Sequence, residues 1–261
     1  MATQTPARKV LSDKQLAQML ELTKKADTVE LKLTVPDANQ RSAVSALDMD
    51  PLTGQIRQVF FFDTPDLQLD AAGVVVRARR VQGRGPDTVV KLRPLDPDNV
   101  RASVRKLPGF GVEVDAMPGG FVCSGSLKAR SDRDLVRAVA AGDRPIRKLF
   151  TKEQRKLYAE HAPEGIDLDG LSVLGPIPVL KLKFVPPEGV RQLVAELWLY
   201  PDGKRILELS TKCAPGEAFQ VAAEERAFLS AKGIDLGGVQ QTKTRTALEF
   251  FASELKGGSG S

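Results

Sequence analysis

Histidine is almost missing from this chain: 261 residues contain one, His161. A multi-histidine zinc centre is therefore excluded, and two cysteines, Cys123 and Cys213, offer no substitute. Ser-His-Asp chemistry would have to recruit His161 from the turn-like stretch Ala159-Glu160-His161-Ala162-Pro163, and no nucleophile elbow is present. Two cysteines also give no disulfide framework, which points to a reducing, cytoplasmic setting. No apolar run is long enough to span a bilayer, and no signal-peptide core follows Met1, so no membrane partner is expected. The chain has neither a basic tail nor an aromatic-rich binding motif, which weakens a nucleic-acid-binding reading. Without histidine or cysteine ligands, any metal must be held by carboxylate oxygens, which selects magnesium or manganese.

What is present is charge in alternation. Lysine and arginine total 38 against 33 acids, a net charge of +5 that favours anionic partners without naming them. The length can bury a substantial core. The stretch Ile56 to Val81 organises the rest. Phe60, Phe61 and Phe62 carry strong strand propensity, and Asp63-Thr64-Pro65-Asp66 is a turn cluster. Gly73 then opens a second strand, on which Val74, Val76 and Ala78 share one face. Val75, Arg77, Arg79 and Val81 share the other. Arginines two residues apart on a strand point the same way, and guanidinium groups clamp phosphate oxygens bidentately.

The same alternation recurs along the chain. Ser12 caps a helix to about Ala26, and a strand follows with Val29, Leu31 and Leu33 on one face and Thr28, Glu30 and Lys32 on the other. Pro36-Asp37 starts a helix to about Leu47. In Thr88 to Pro94, Val90 and Leu92 oppose Lys91 and Arg93; Val112-Glu113-Val114-Asp115 repeats the pattern with acids. A helix beginning at Ser131 to Asp134 ends near Gly142. Further strands are expected at Leu180 to Lys183, Ala195 to Tyr200 and Ile206 to Lys212, with a hairpin turn at Pro201-Asp202-Gly203. Helices follow from about Pro215 to Ala231 and from Thr246 to Leu255. Met1 to Lys9 is polar and unpatterned, and 257–261 reads as an appended Gly/Ser linker.

The run FFFDTPDLQLDAAGVVVRARR resembles the signature of the CYTH family, the triphosphate tunnel metalloenzymes. That signature is an aromatic run, a "YFDTPD"-like turn and a strand ending in Arg-x-Arg. The family's opening Glu-x-Glu-x-Lys is matched by Glu30 and Lys32, with Thr28 in the first acid's place. Phe150 to Tyr158 resembles its Lys-x-x-Arg-x-x-Tyr strand, although the first half also reads as helix. A later Glu-x-Glu is matched by Glu208, with Ser210 in the second place. The resemblance covers roughly Val29 to Lys212.

The resemblance implies an α+β fold: an eight-stranded antiparallel β-barrel with surrounding helices, spanning 27–256 after an N-terminal extension, 1–26, with one helix. Charges would line its lumen and aliphatic faces would lie outside. It further implies that Arg77, Arg79, Lys91, Arg93, Arg155, Lys181, Lys183 and Lys212 bind phosphate. Glu30, Glu113, Asp115 and Glu208 would hold Mg2+ or Mn2+, and Glu30, Lys32 and Glu208 would serve catalysis. The expected activity is metal-dependent hydrolysis of inorganic, thiamine or nucleoside triphosphate. The alternatives are a non-catalytic polyphosphate- or phosphate-binding module, favoured by Thr28 and Ser210, and a CYTH-type adenylate cyclase. Oligomeric state is left open by the sequence.

Overall fold

In a computed structural model, which describes residues 12–189, 191–237, 240 and 243–257, nine strands close into a barrel. The strands are β1 (Thr28–Val35), β2 (Gln55–Asp63), β3 (Val74–Val81), β4 (Asp87–Leu92), β5 (Phe110–Met117), β6 (Gly120–Arg130), β7 (Ser172–Phe184), β8 (Leu193–Leu199) and β9 (Arg205–Cys213). Their order around the wall is β1-β5-β6-β4-β3-β2-β7-β8-β9, and β9 pairs back onto β1. The expected eight-stranded antiparallel barrel is corrected in two respects. There are nine strands, and β1 runs parallel to β5, placing Thr28 beside Glu113 and Glu30 beside Asp115. The strand absent from the sequence reading, β6, carries Ser124, Gly125 and Ser126 in its middle, residues with little strand propensity. The segments Met1 to Lys9 and 258–261 lie outside the described residues, and Gly257 closes the last helix.

Apolar outer faces require cover, and helices supply it. The helices are α1 (Asp13–Lys25), α2 (Gln40–Ala46), α3 (Gln68–Ala71), α4 (Ala102–Arg105), α5 (Arg133–Ala140), α6 (Lys152–Ala159), α7 (Ala218–Ala231) and α8 (Lys243–Gly257). Phe60 and Phe62 of β2 join Val74, Val76 and Ala78 of β3 in one cluster, covered by Val136 and Val139 of α5 and Leu157 and Tyr158 of α6. Leu33, Val35, Leu207 and Leu209 form another with Ala43 of α2 and Leu229 of α7. The opposite parity turns inward. Val59, Phe61, Ile177 and Trp198 make an apolar layer inside the wall, and α8 adds Ala247 and Leu248 to it.

The Asp63-Thr64-Pro65-Asp66 cluster is more than a turn. Asp63 is 2% exposed, and its carboxylate accepts from the backbone N–H groups of Thr64 (2.7 Å), Leu69 (2.9 Å) and Asp70 (3.0 Å). The Leu69 and Asp70 bonds satisfy free amides in the first turn of α3, which sits between β2 and β3, and the Thr64 bond fixes the turn that leads into it.

Candidate functional site

The inward parity of the strands lines a cavity of about 850 Å³. Thirteen lysines and arginines border it against five acids, so the lumen as a whole invites anions. Glu30, Lys32, Arg77, Arg79, Lys91 and Arg93 all border it, the placement that the family resemblance implied for their shared parity.

One side gathers carboxylates. Parallel pairing of β1 with β5 brings Glu30, Glu113 and Asp115 together, with one ligand oxygen from each lying within 4.8 Å of the others. Asp115 has no exposed side-chain surface and is met by Lys32 at 2.8 Å, Lys91 at 3.5 Å and Arg93 at 3.7 Å. Lys32 also reaches Glu30 at 3.1 Å, while Lys212 pairs with Glu113 and stands 3.9 Å from Glu30. Burial alone would push the Asp115 carboxyl upward, but Lys32, Lys91 and Arg93 together hold it far below the usual carboxylate range. Burial likewise opposes the charge on Lys32, yet Asp115, Glu30 and Glu208 raise its pKa. Lys91 goes the other way: burial outweighs Asp115 and brings its ammonium down to about 8.

The two hydroxyls that stand in place of acids lie beside this group. Thr28 Oγ1 donates to Glu113 Oε2 at 3.4 Å, and Ser210 Oγ donates to Glu30 Oε1 at 3.2 Å. The cluster therefore carries less negative charge than a full set of acids would give it, and each hydroxyl orients a remaining carboxylate.

A second acid pair stands on β8 and β9, where Glu196 and Glu208 are directly opposed. Lys243, the first residue of α8, bridges them, reaching Glu208 at 2.7 Å and also pairing with Glu196. Lys181 holds Glu196 from β7 at 2.8 Å. Despite burial, Lys243 and Lys181 keep the Glu196 carboxyl well below the usual range. Lys243 also lies 5.3 Å from the centre of the Trp198 ring.

A third side is cationic. Arg79 forms a two-pronged bond to Asp87, at 2.8 and 2.9 Å. Arg77 has no such partner: its Nε is buried without a hydrogen bond among the described residues. Burial, with Arg79 nearby, pushes the guanidinium down to about 9.

No protein-family model and no curated protein sequence matches the chain. Solved structures do. A Hippeastrum protein, described as a candidate adenylyl cyclase with a dominant triphosphatase activity, superposes with a TM-score of 0.61 at 19% identity, covering 84% of this chain and 94% of that one. A Bacillus halodurans protein, described as a candidate adenylate cyclase, gives 0.57 at 12% identity, covering 84% and 98%. The chain has the CYTH fold.

Within the CYTH barrel, Glu113, Lys181, Lys212 and Glu208 border the cavity together with the residues already placed there; Asp115 is the fully buried member of the carboxylate group. Lys183 is exposed and borders the same cavity. Arg155 is not brought to it. The stretch Phe150 to Tyr158 forms α6, outside the barrel wall, rather than a strand, and Arg155 is exposed there. The reason is local: Thr151 and Gln154 make a reciprocal capping box, and Gln154 is buried, bonding to Thr88 and Leu127. Sequence reasoning left out Arg57, Lys128 and Lys243. Lys128 shares parity with Ser124 and Ser126, an alternation available in the sequence. Lys243 begins a helix, and no strand pattern could have revealed it.

Proposed function

We propose that this chain is a metal-dependent hydrolase of a triphosphate, whether inorganic, thiamine or nucleoside triphosphate, acting inside the barrel. One observation carries the reading: a tight carboxylate group and an excess of cations share a single lumen. The Hippeastrum protein of like fold, described as having a dominant triphosphatase activity, supports it.

Three clustered carboxylates suit a hard divalent cation such as Mg2+ or Mn2+, with Glu30, Glu113 and Asp115 as its holders; Glu208 borders the same cavity outside that cluster, paired with Lys243, and serves turnover from there. Bound there, such an ion supplies Lewis acidity to phosphoryl oxygens and lowers the pKa of bound water. The protein's own groups do the rest. Lys32 keeps Asp115 and Glu30 ionised and in place. Arg77, Arg79, Lys91, Arg93, Lys181 and Lys212 take phosphoryl oxygens by charge-assisted hydrogen bonds and offset charge that builds up during transfer. Glu30 and Glu208 are the carboxylates on which turnover depends. The test is phosphate release from tripolyphosphate, ATP and thiamine triphosphate, with magnesium, with manganese and with chelator.

Thr28 and Ser210 favour a second reading, a phosphate-binding module without turnover. Each replaces an acid beside the carboxylate group with a neutral hydroxyl. Triphosphate binding with no phosphate release at any metal concentration would establish that reading instead.

A further inference from the structure

A second cavity, of about 290 Å³, opens on the outside of the barrel and shares none of its described lining with the lumen. Strand parity puts it there: Leu92 of β4 turns opposite to Lys91, which reaches Asp115 in the lumen. The floor is apolar, formed by Leu92, Leu95, Val104 of α4, Phe110 of β5 and Leu157 of α6. Leu95 and Phe110 lie close against β6 because Gly125 has no side chain; a Cβ there would meet them at 2.7 and 3.1 Å.

The rim is polar and exposed. Arg101 uses one N–H on Glu160, and its other donors have no acceptor among the described residues. That bond holds the Glu160 carboxyl below its ordinary value, so it stays anionic. His161 Nδ1 donates to the Leu157 carbonyl at 2.9 Å, which leaves Nε2 as a lone-pair acceptor in the neutral ring. Asn99 gives its amide N–H to Asp96 at 3.0 Å and keeps Oδ1 as an acceptor.

The rim therefore asks for two different groups. Arg101 only donates, and suits an anionic oxygen. Glu160, His161 Nε2 and Asn99 Oδ1 accept, and three acceptors match the three N–H bonds of an ammonium. Below them the floor favours an apolar side chain. The volume lies at the lower end of the range for ligand sites, about 300–1,000 Å³, and suits a molecule of amino-acid size.

We propose that this cavity binds a free α-amino acid with an apolar side chain of leucine to phenylalanine size. Its carboxylate accepts from Arg101, its ammonium donates to Glu160, His161 and Asn99, and its side chain covers Leu92 and Leu157. Charges then alternate around the rim, so neither charge of the ligand is left unpaired. A monocarboxylate would leave the three acceptors unanswered, and a simple amine would leave Arg101 so.

The test is calorimetric titration of the full chain with leucine, phenylalanine and glutamate, and with isocaproate and isoamylamine, which are leucine without its ammonium and leucine without its carboxylate. Leucine and phenylalanine should bind, and the other three at least about tenfold more weakly. Arg101→Gln and Glu160→Gln should each weaken leucine by about tenfold. The pair lies at the surface, so thermal melts of both variants should match the parent. Saturating tripolyphosphate should not shift the affinity for leucine. No leucine binding up to its solubility, isocaproate binding as tightly as leucine, unchanged affinity in both variants, or competition with tripolyphosphate overturns the amino-acid site and leaves the triphosphatase reading untouched.

Discussion

Thr28 and Ser210 decide how strongly the lumen holds a cation. Each donates a hydrogen bond to a member of the carboxylate group, so the site keeps its geometry while carrying less charge. A neutral hydroxyl ligates a divalent ion more weakly than a carboxylate does, yet magnesium commonly needs only one or two protein carboxylates plus phosphate and water. Thr28→Glu should therefore tighten Mn2+ binding and raise turnover, read from metal titrations of phosphate release; unchanged metal dependence would count against the cluster as the metal site. Arg77 presents the complementary case. Its buried Nε has no partner among the described residues, so the empty protein bears the cost of an unsatisfied charge. Arg77→Met should raise the melting temperature without ligand. It should also weaken tripolyphosphate binding by about ten- to hundredfold, as expected for a lost charge-assisted contact. A variant that melts lower and binds equally well would show that Arg77 is structural.

At the scale of elements, the signature turn and the last helix both act through buried acids. Asp63 satisfies three backbone amides around the start of α3. Asp63→Ala strips all three and should cost about 3 kcal/mol, roughly a 10 °C fall in melting temperature, measured by thermal denaturation. Glu196 ties β8 to α8 through Lys243. Its folded pKa lies below its unfolded value, so its stabilisation is complete above the unfolded value of about 4.5 and is lost as pH falls through the folded one. Glu196→Gln should lower the melting temperature at neutral pH and lessen its decline between about pH 5 and pH 3. Parallel melting curves for parent and variant would contradict that assignment. These elements also mark where the sequence was readable. Alternation exposed β1, β3, β4 and β9 and the two sets of residues that share a face on each, because period-two spacing is a local property. The first half of β7 escaped, because Pro176 and Pro178 read as breakers. They are tolerated because Ser172–Pro178 pairs with β2 alone, and β8 joins only from Val179 onward. Arg155 misled because a capping box outweighed a motif-like spacing.

For the whole molecule, parity along a strand cannot say which face turns inward; closure decides that, and closure depends on pairings far apart in the chain. The β1–β5 pair joins residues about 85 positions apart and is what assembles Glu30, Glu113 and Asp115. The resemblance carried by FFFDTPDLQLDAAGVVVRARR supplied the closed barrel, while the nine-strand count and the parallel pair came from the structure. No helix among the described residues is long and apolar enough to cross a membrane. Helices such as α2, α5, α6 and α7 instead cover the barrel's aliphatic outside, α8 packs on the inner apolar layer, and the charges are left to face one another across the lumen. The most direct test is steady-state phosphate release from tripolyphosphate, against magnesium and manganese concentration, for the parent chain and Glu208→Ala. The parent should release phosphate only with metal, and Glu208→Ala should bind tripolyphosphate nearly as well and release none. Release that persists under chelator, or is unchanged in Glu208→Ala, would contradict a metal-dependent site in this lumen.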